Sequence, residues 1–192
     1  MKLKDHFRVA IFGSARIKKD DKNYKMIHNL AEKIGEQNMD VVTGGGPGIM
    51  EAASSGHKKG NVDHKSHSFG LLIKLPREQR SNHSLDIKKE FKYFSKRLDR
   101  FMELSNVVVV APGGIGTLLE LVYAWQLLQV KKKKGIPIIL IGNQWKLLIQ
   151  WMKQTQLKAK YIKKEDFDLV FPVKNIHEAM VIINDKYESY KK

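Results

Sequence analysis

The chain contains no cysteine. Disulfides and thiolate metal sites are therefore excluded, and the composition suits a reducing cytosol, so a cytoplasmic location is expected. No uninterrupted apolar run approaches the roughly 20 residues that a membrane helix needs. The opening MKLKDHFRVAIFGSAR has no apolar leader region and enters a strand pattern at once, so neither signal peptide nor membrane segment is expected. Acidic residues are scarce: 20 Asp and Glu stand against 35 Lys and Arg, for a net charge of +15. The lysines are scattered, and the one dense run is Lys131–Lys134. No nucleic-acid motif occurs, and the aromatics are not interleaved with the basic residues in a stacking pattern. The expectation is a solvated basic surface that draws in anionic substrates, without a dedicated nucleic-acid site.

What is present is enough for a core. With 192 residues, 42% of them hydrophobic, the chain is read as one domain over 1–192. Apolar strands are expected at Phe7–Gly13, Asp40–Thr43, Phe69–Leu75 and Ile136–Gly142, with shorter ones at Glu90–Phe94 and Asp168–Val173. Helical spacing occupies Tyr24–Gln37, Ile49–Lys59, Ser95–Leu104, Trp145–Gln156 and Ile176–Tyr190. The polar stretch Pro76–Lys88 reads as a functional loop. The strands lack period-two alternation, so both of their faces are buried. Strands alternating with helices then predict an α/β, Rossmann-like, doubly wound parallel sheet with helices on both faces.

The chain is organised around Asn106–Gln129. Four valines, Val107–Val110, form a buried strand; Pro112-Gly113-Gly114-Ile115-Gly116 forms a tight loop; a helix is expected from Thr117. Backbone N–H groups and the positive helix end make an anion site there, so Gly113, Gly114, Gly116 and Thr117 are assigned to a phosphate. A second glycine loop follows the second strand. Its Gly44, Gly45, Gly46 and Gly48 are assigned to the sugar or phosphate, unless they serve turn geometry alone. Ser14 ends the first strand, where its hydroxyl either meets the ligand or caps a helix.

The common nucleotide fingerprints fail. Gly44-Gly45-Gly46-Pro47-Gly48-Ile49 and Gly114-Ile115-Gly116-Thr117-Leu118-Leu119 each lack the third glycine of a dinucleotide loop. No G-x-x-x-x-G-K-[ST] run occurs. What remains is a mononucleotide held by two loops.

Thr43–Ala53 (TGGGPGIMEAA) and Pro112–Glu120 (PGGIGTLLE), with FGSAR at Phe12–Arg16 and LPREQRSN at Leu75–Asn82, resemble the paired signatures of the LOG ("lonely guy") family. The resemblance covers about residues 7 to 155. It implies a Rossmann-like homodimer that hydrolyses the N-glycosidic bond of nucleoside 5′-monophosphates, AMP-like or cytokinin nucleotides, to free base and ribose 5-phosphate, without a cofactor. The family's paired arginine and glutamate fall on Arg97 and Glu120, which are assigned as catalytic. The run Arg97-Leu98-Asp99-Arg100-Phe101 departs from the family's R-K-x-x-M, and Leu119 replaces the first of its two frequent acids. The runner-up is a non-catalytic nucleotide or molybdenum-cofactor carrier.

Each of these side chains has a plainer reading beside it. Thr117-x-x-Glu120 also fits a capping box, in which the carboxylate only returns to the Thr117 N–H. Arg97 shares a helix face with Arg100, and a surface ion pair with Asp99 or Glu103 would account for it. His57, His64 and His67 lack an acidic ligand pattern, so no metal site is expected. Trp125, Leu127 and Leu128 are read mainly as core, with a dimer face as the second reading.

Overall fold

The computed structural model describes residues 6–75 and 81–192. Seven strands form one sheet: β1 (Arg8–Phe12), β2 (Asp40–Thr43), β3 (Ser68–Ile73), β4 (Ile87–Phe91), β5 (Val107–Val110), β6 (Ile138–Ile141) and β7 (Val170–Val173). Their spatial order is β4-β3-β2-β1-β5-β6-β7, and every pairing is parallel. Six helices connect and cover them: α1 (Lys22–Glu36), α2 (Ile49–Gly60), α3 (Phe94–Leu104), α4 (Ile115–Gln129), α5 (Asn143–Met152) and α6 (Ile176–Lys191).

The valines of β5 show why the sheet is buried on both sides. Val107 and Val109 join one core with α1, α2 and α6. Val108 and Val110 point the other way and join a second core with α3, α4 and α5. All four are fully buried. β1 repeats the pattern, with Val9 and Ile11 on one side and Ala10 and Phe12 on the other. The Rossmann-like doubly wound architecture read from the sequence is the one observed. The sheet edges are protected by different means. β4 exposes Lys88, Lys89 and Glu90, and β7 carries Pro172, which has no N–H to offer a ladder.

Boundaries shift where local chemistry competes. The strand expected at Glu90–Phe94 is displaced to Ile87–Phe91, because Tyr93 caps α3. The expected loop Pro76–Lys88 therefore ends before Ile87, and its residues 76–80 lie outside the described ones. α4 begins at Ile115, two residues ahead of Thr117, with Gly114 as its N-cap. α5 ends at Met152 and continues as one π-helical turn, Lys153–Leu157.

Strands β1 to β4 step outward on one side and β5 to β7 on the other. The order reverses between β1 and β5, which opens a crevice beyond their carboxyl ends. Both glycine loops emerge there, after β2 and after β5. Among the described residues, no helix is long and apolar enough to cross a membrane.

Candidate functional site

Two helices point their N-termini into the crevice. Gly48 is the N-cap of α2 and Gly114 the N-cap of α4, and neither has a side-chain capping bond. By contrast, α1 and α6 are capped by Asp21 and Asn175. The Ile49 N–H of α2 is taken by the Ser14 carbonyl; the other first-turn N–H groups at the crevice are left for an acceptor from outside the helix, and the helix dipoles favour an anion.

The loops are spliced through Ser14. Its N–H donates to Pro112 O (3.0 Å), and its carbonyl accepts from Ile49 N (2.9 Å). Its hydroxyl accepts from Arg16 N, 3.1 Å away. The side chain thus closes a local turn, and the backbone joins the β5–α4 loop to α2. Asn82, which the sequence reading left without a role, holds the other loop. Its Nδ2 donates to Gly46 O (3.0 Å) and its N–H to Gly45 O (2.9 Å). Gly45 and Gly48 have φ of 75° and 66°, which a side chain would strain. Their glycine requirement is one of turn geometry.

A cavity of about 170 Å³ lies between these loops, lined by Gly13, Gly44, Met50, Gly116, Thr117 and the pair Arg97–Glu120 among others. It brings together five of the residues assigned from sequence: Gly44, Arg97, Gly116, Thr117 and Glu120. Ser14, Gly45, Gly46, Gly48, Gly113 and Gly114 shape the surrounding loops and are not in its wall. A methyl group placed on Gly114 or Gly116 would meet nothing within 4 Å, so both present open backbone. Gly113 is different, since a methyl there would collide with Thr117 Oγ1. A larger cavity of about 880 Å³ lies at the amino ends of β6 and β7, with Lys133, Lys134 and Asp168 in its wall. It lies away from the glycine loops, both helix N-termini and the Arg97–Glu120 pair, and ligands of open parallel sheets bind at the carboxyl ends.

Arg97 and Glu120 form an ion pair, Nη1 to Oε1 at 3.0 Å, with side chains 9% and 11% exposed. Arg97 Nε also donates to Leu71 O at 2.6 Å, and its guanidinium lies over the Phe101 ring. Burial pushes the Glu120 carboxyl above its ordinary pKa, and the charge of Arg97 opposes that rise. Burial likewise pulls the Arg97 guanidinium down, against the attraction of Glu120. The capping-box alternative for Glu120 is not realised: Thr117 lies inside α4, and the carboxylate reaches Arg97 rather than the backbone. The surface ion pair belongs to Arg100, which meets Glu103 at 2.8 Å. Asp99 instead accepts from Tyr123 Oη, and that bond, ahead of burial, pushes the phenol pKa up to about 12.

Trp125 and Leu128 are buried in the second core, which favours the core reading over a dimer face. The exposed apolar residues of α4 are Ile115, Leu119 and Val122.

The arrangement can hold an anion at two helix ends and place one buried carboxylate, backed by a guanidinium, a short distance away. Over 132 residues the chain is 26% identical to the pyrimidine/purine nucleotide 5′-monophosphate nucleosidase of Escherichia coli K12, an alignment covering 64% of this chain and 28% of that one. The chain thus spans little more than a quarter of that relative's length. Among solved structures, the molybdenum cofactor binding protein of Rippkaea orientalis superposes with a TM-score of 0.70 at 20% identity, over 94% of this chain and 96% of that one. The molybdenum cofactor carrier protein of Chlamydomonas reinhardtii gives 0.70 at 21% identity, over 95% and 99%. These structural likenesses establish the shared fold. The model of the family described as possible lysine decarboxylase matches residues 41–183, both glycine motifs included, and the chain belongs to that LOG-like family.

Proposed function

We propose that the protein is a nucleoside 5′-monophosphate phosphoribohydrolase. The observation that carries this reading is the buried Arg97–Glu120 pair set between open glycine backbone and an uncapped helix N-terminus. The 5′-phosphate sits on Gly113–Thr117, where N–H groups and the Thr117 hydroxyl donate to its oxygens. The ribose lies over Gly44, with its hydroxyls on Glu120. The C1′–N bond breaks as its electron pair leaves with the base, and the ribose becomes oxocarbenium-like. Water attacks C1′ and passes one proton to Glu120, which delivers it to the departing base, so the carboxylate is regenerated and the base leaves neutral. The products are free base and ribose 5-phosphate.

The electrostatics suit the role. A carboxylate raised by burial is a better base near neutrality than a solvated one. The charge of Arg97 opposes that rise and favours the ionised form. The cavity is below the roughly 300–1,000 Å³ of complete small-molecule sites, so it accounts for the ribose phosphate and leaves the base to surrounding loops. The substrate is AMP-like, with cytokinin nucleotides as further candidates, and the protein works in the cytoplasm as a homodimer. Ile115, Leu119 and Val122 recur along one side of α4, and this exposed apolar stripe supports the dimer.

Chromatography after incubation with AMP, GMP, CMP and cytokinin nucleotides tests the reading: free base and ribose 5-phosphate are expected. Calorimetric binding without turnover of any of them would favour the second reading, a nucleotide or molybdenum-cofactor carrier. That alternative is supported by the two molybdenum-cofactor proteins among the structural relatives.

A further inference from the structure

A different constellation lies at the opposite end of the sheet. Asp40 opens β2, His6 precedes β1, and His67 immediately precedes β3. The parallel register pairs Arg8 with Asp40 and Val41 with Ser68, so Asp40 and His67 sit level on adjacent strands, and His6 lies two residues ahead of Arg8, the residue paired with Asp40. His6 Nδ1 lies 2.9 Å from Asp40 Oδ1, and His67 Nδ1 lies 3.8 Å from the same oxygen. One ligand atom from each residue falls within 4.8 Å of both others. Asp40 is fully buried, and its second oxygen is held by Arg8 Nε at 3.1 Å.

One atom in this group is unaccounted for. His67 Nδ1 is buried and has no hydrogen-bond partner among the described residues. Buried polar atoms are nearly always partnered, and 3.8 Å is too long for a hydrogen bond to Asp40. His57 also leaves Nδ1 without a partner, but it is a core histidine, with Nε2 bonded to Met39 O and Ser66 Oγ. Burial holds its pKa down, and it faces no carboxylate at hydrogen-bond range.

We propose that His6 Nδ1, Asp40 Oδ1 and His67 Nδ1 bind one divalent transition-metal ion of the zinc class, with water in the fourth position. Zinc–nitrogen and zinc–oxygen bonds of about 2.0–2.2 Å place tetrahedral ligands about 3.3 Å apart, and the observed 2.9 and 3.8 Å bracket that spacing. Two imidazoles and one carboxylate exclude the all-oxygen preference of calcium and magnesium. Arg8 fixes the carboxylate through Oδ2 and the His67 N–H, 2.8 Å away, orients Oδ1, so the ion takes the lone pair of Oδ1 that now faces His6. The positive charge of Arg8 opposes the ion, so affinity falls short of that of a closed structural zinc site. Binding replaces the His6 Nδ1–Asp40 Oδ1 contact with one bond from each atom to the ion. The ion ties together the amino ends of three strands, far along the sheet from the nucleotide crevice. A sequence pattern search misses the site because its ligands are spread over three strands.

The test uses the whole chain after chelator treatment. Zinc titration by calorimetry is expected to give one site per chain in about the micromolar range. Cobalt is expected to give the intense visible bands of tetrahedral coordination, and zinc a higher Tm. His67→Gln and His6→Gln leave the Arg8–Asp40 pair in place. Each is expected to lower zinc affinity at least about tenfold and to remove the cobalt bands. His177→Gln, on α6, is expected to change neither. The proposal is overturned by less than one site per chain, by six-coordinate pale cobalt spectra, or by bands that survive both substitutions. Circular dichroism of each variant shows that the fold persists, so a lost signal reports ligation.

Discussion

The Arg97–Glu120 pair supports a double-mutant cycle with a distinctive signature. Removing either partner leaves the other charge in a site where both side chains are about nine-tenths buried. Breaking a buried pair in this way costs about 3–5 kcal/mol. Independent effects would therefore sum to about 6–10 kcal/mol for Arg97→Met with Glu120→Leu. Replacing both charges by apolar groups is instead neutral or stabilising by about 1–4 kcal/mol. Against that gain stands Leu71 O, which loses the Arg97 Nε donor and costs about 1–3 kcal/mol when unsatisfied. The two contributions nearly cancel. The double variant should lie within about 2 kcal/mol of the parent, with a coupling of at least about 4 kcal/mol. Urea denaturation followed by the fluorescence of the three tryptophans measures all four corners. The pH dependence adds a sign. Arg97 is what holds the Glu120 pKa down against burial, so Arg97→Met raises it further. A group whose folded pKa exceeds its unfolded value contributes stability below the unfolded pKa, and loses it as pH rises through the folded one. Arg97→Met should thus be most stable in acid, below the ordinary carboxyl range, and weaken towards neutrality. Additive losses in the double variant, or an Arg97→Met curve that rises with pH, would refute the buried-pair argument.

Three further outcomes follow from neighbouring residues. Gly116→Ala should hold or raise stability by up to about 1 kcal/mol, since alanine favours a helix and its methyl meets nothing. The same methyl intrudes on the proposed phosphate, so KM for AMP should climb; an unchanged KM removes Gly116 from the binding wall. Asn82→Ala deprives Gly46 O of its donor and should cost about 1–3 kcal/mol in thermal or chemical denaturation. Leu119→Arg, on the exposed side of α4, should convert a dimer to monomers in light scattering coupled to size-exclusion chromatography, while a dimer that persists places the interface elsewhere.

The sheet and its winding were legible because β-branched runs such as Val107–Val110 and Ile138–Ile141 have only one comfortable setting, a strand covered on both faces. Both glycine loops were legible as well, since their positions after strands follow from the same pattern. The partner of Glu120 was harder. Arg97 sits 23 residues earlier, and only the packing of α3 against α4 decides that it, rather than Arg100, turns inward. The sequence suggested a capping box because Thr117 looks like a helix start. The helix in fact begins at Ile115, where glycines on either side suit backbone to bind a ligand. Asn82 was invisible for a related reason: its partners are backbone atoms of Gly45 and Gly46, and no side-chain pattern records a carbonyl. The cluster of His6, Asp40 and His67 depends on how β1, β2 and β3 pair, which no linear spacing encodes.

The splice through Ser14 carries a dynamic consequence. One residue's amide and carbonyl hold the β5–α4 loop and the start of α2 to the same point, so opening either one breaks a bond to Ser14. The amide protons of Ser14 and Ile49 should then exchange with solvent at a common rate, set by one shared opening event. A ligand landing on one loop slows that event for both. The loops are already joined before any ligand arrives, so on the proposed function capture of a phosphate spends little of its free energy on ordering the chain.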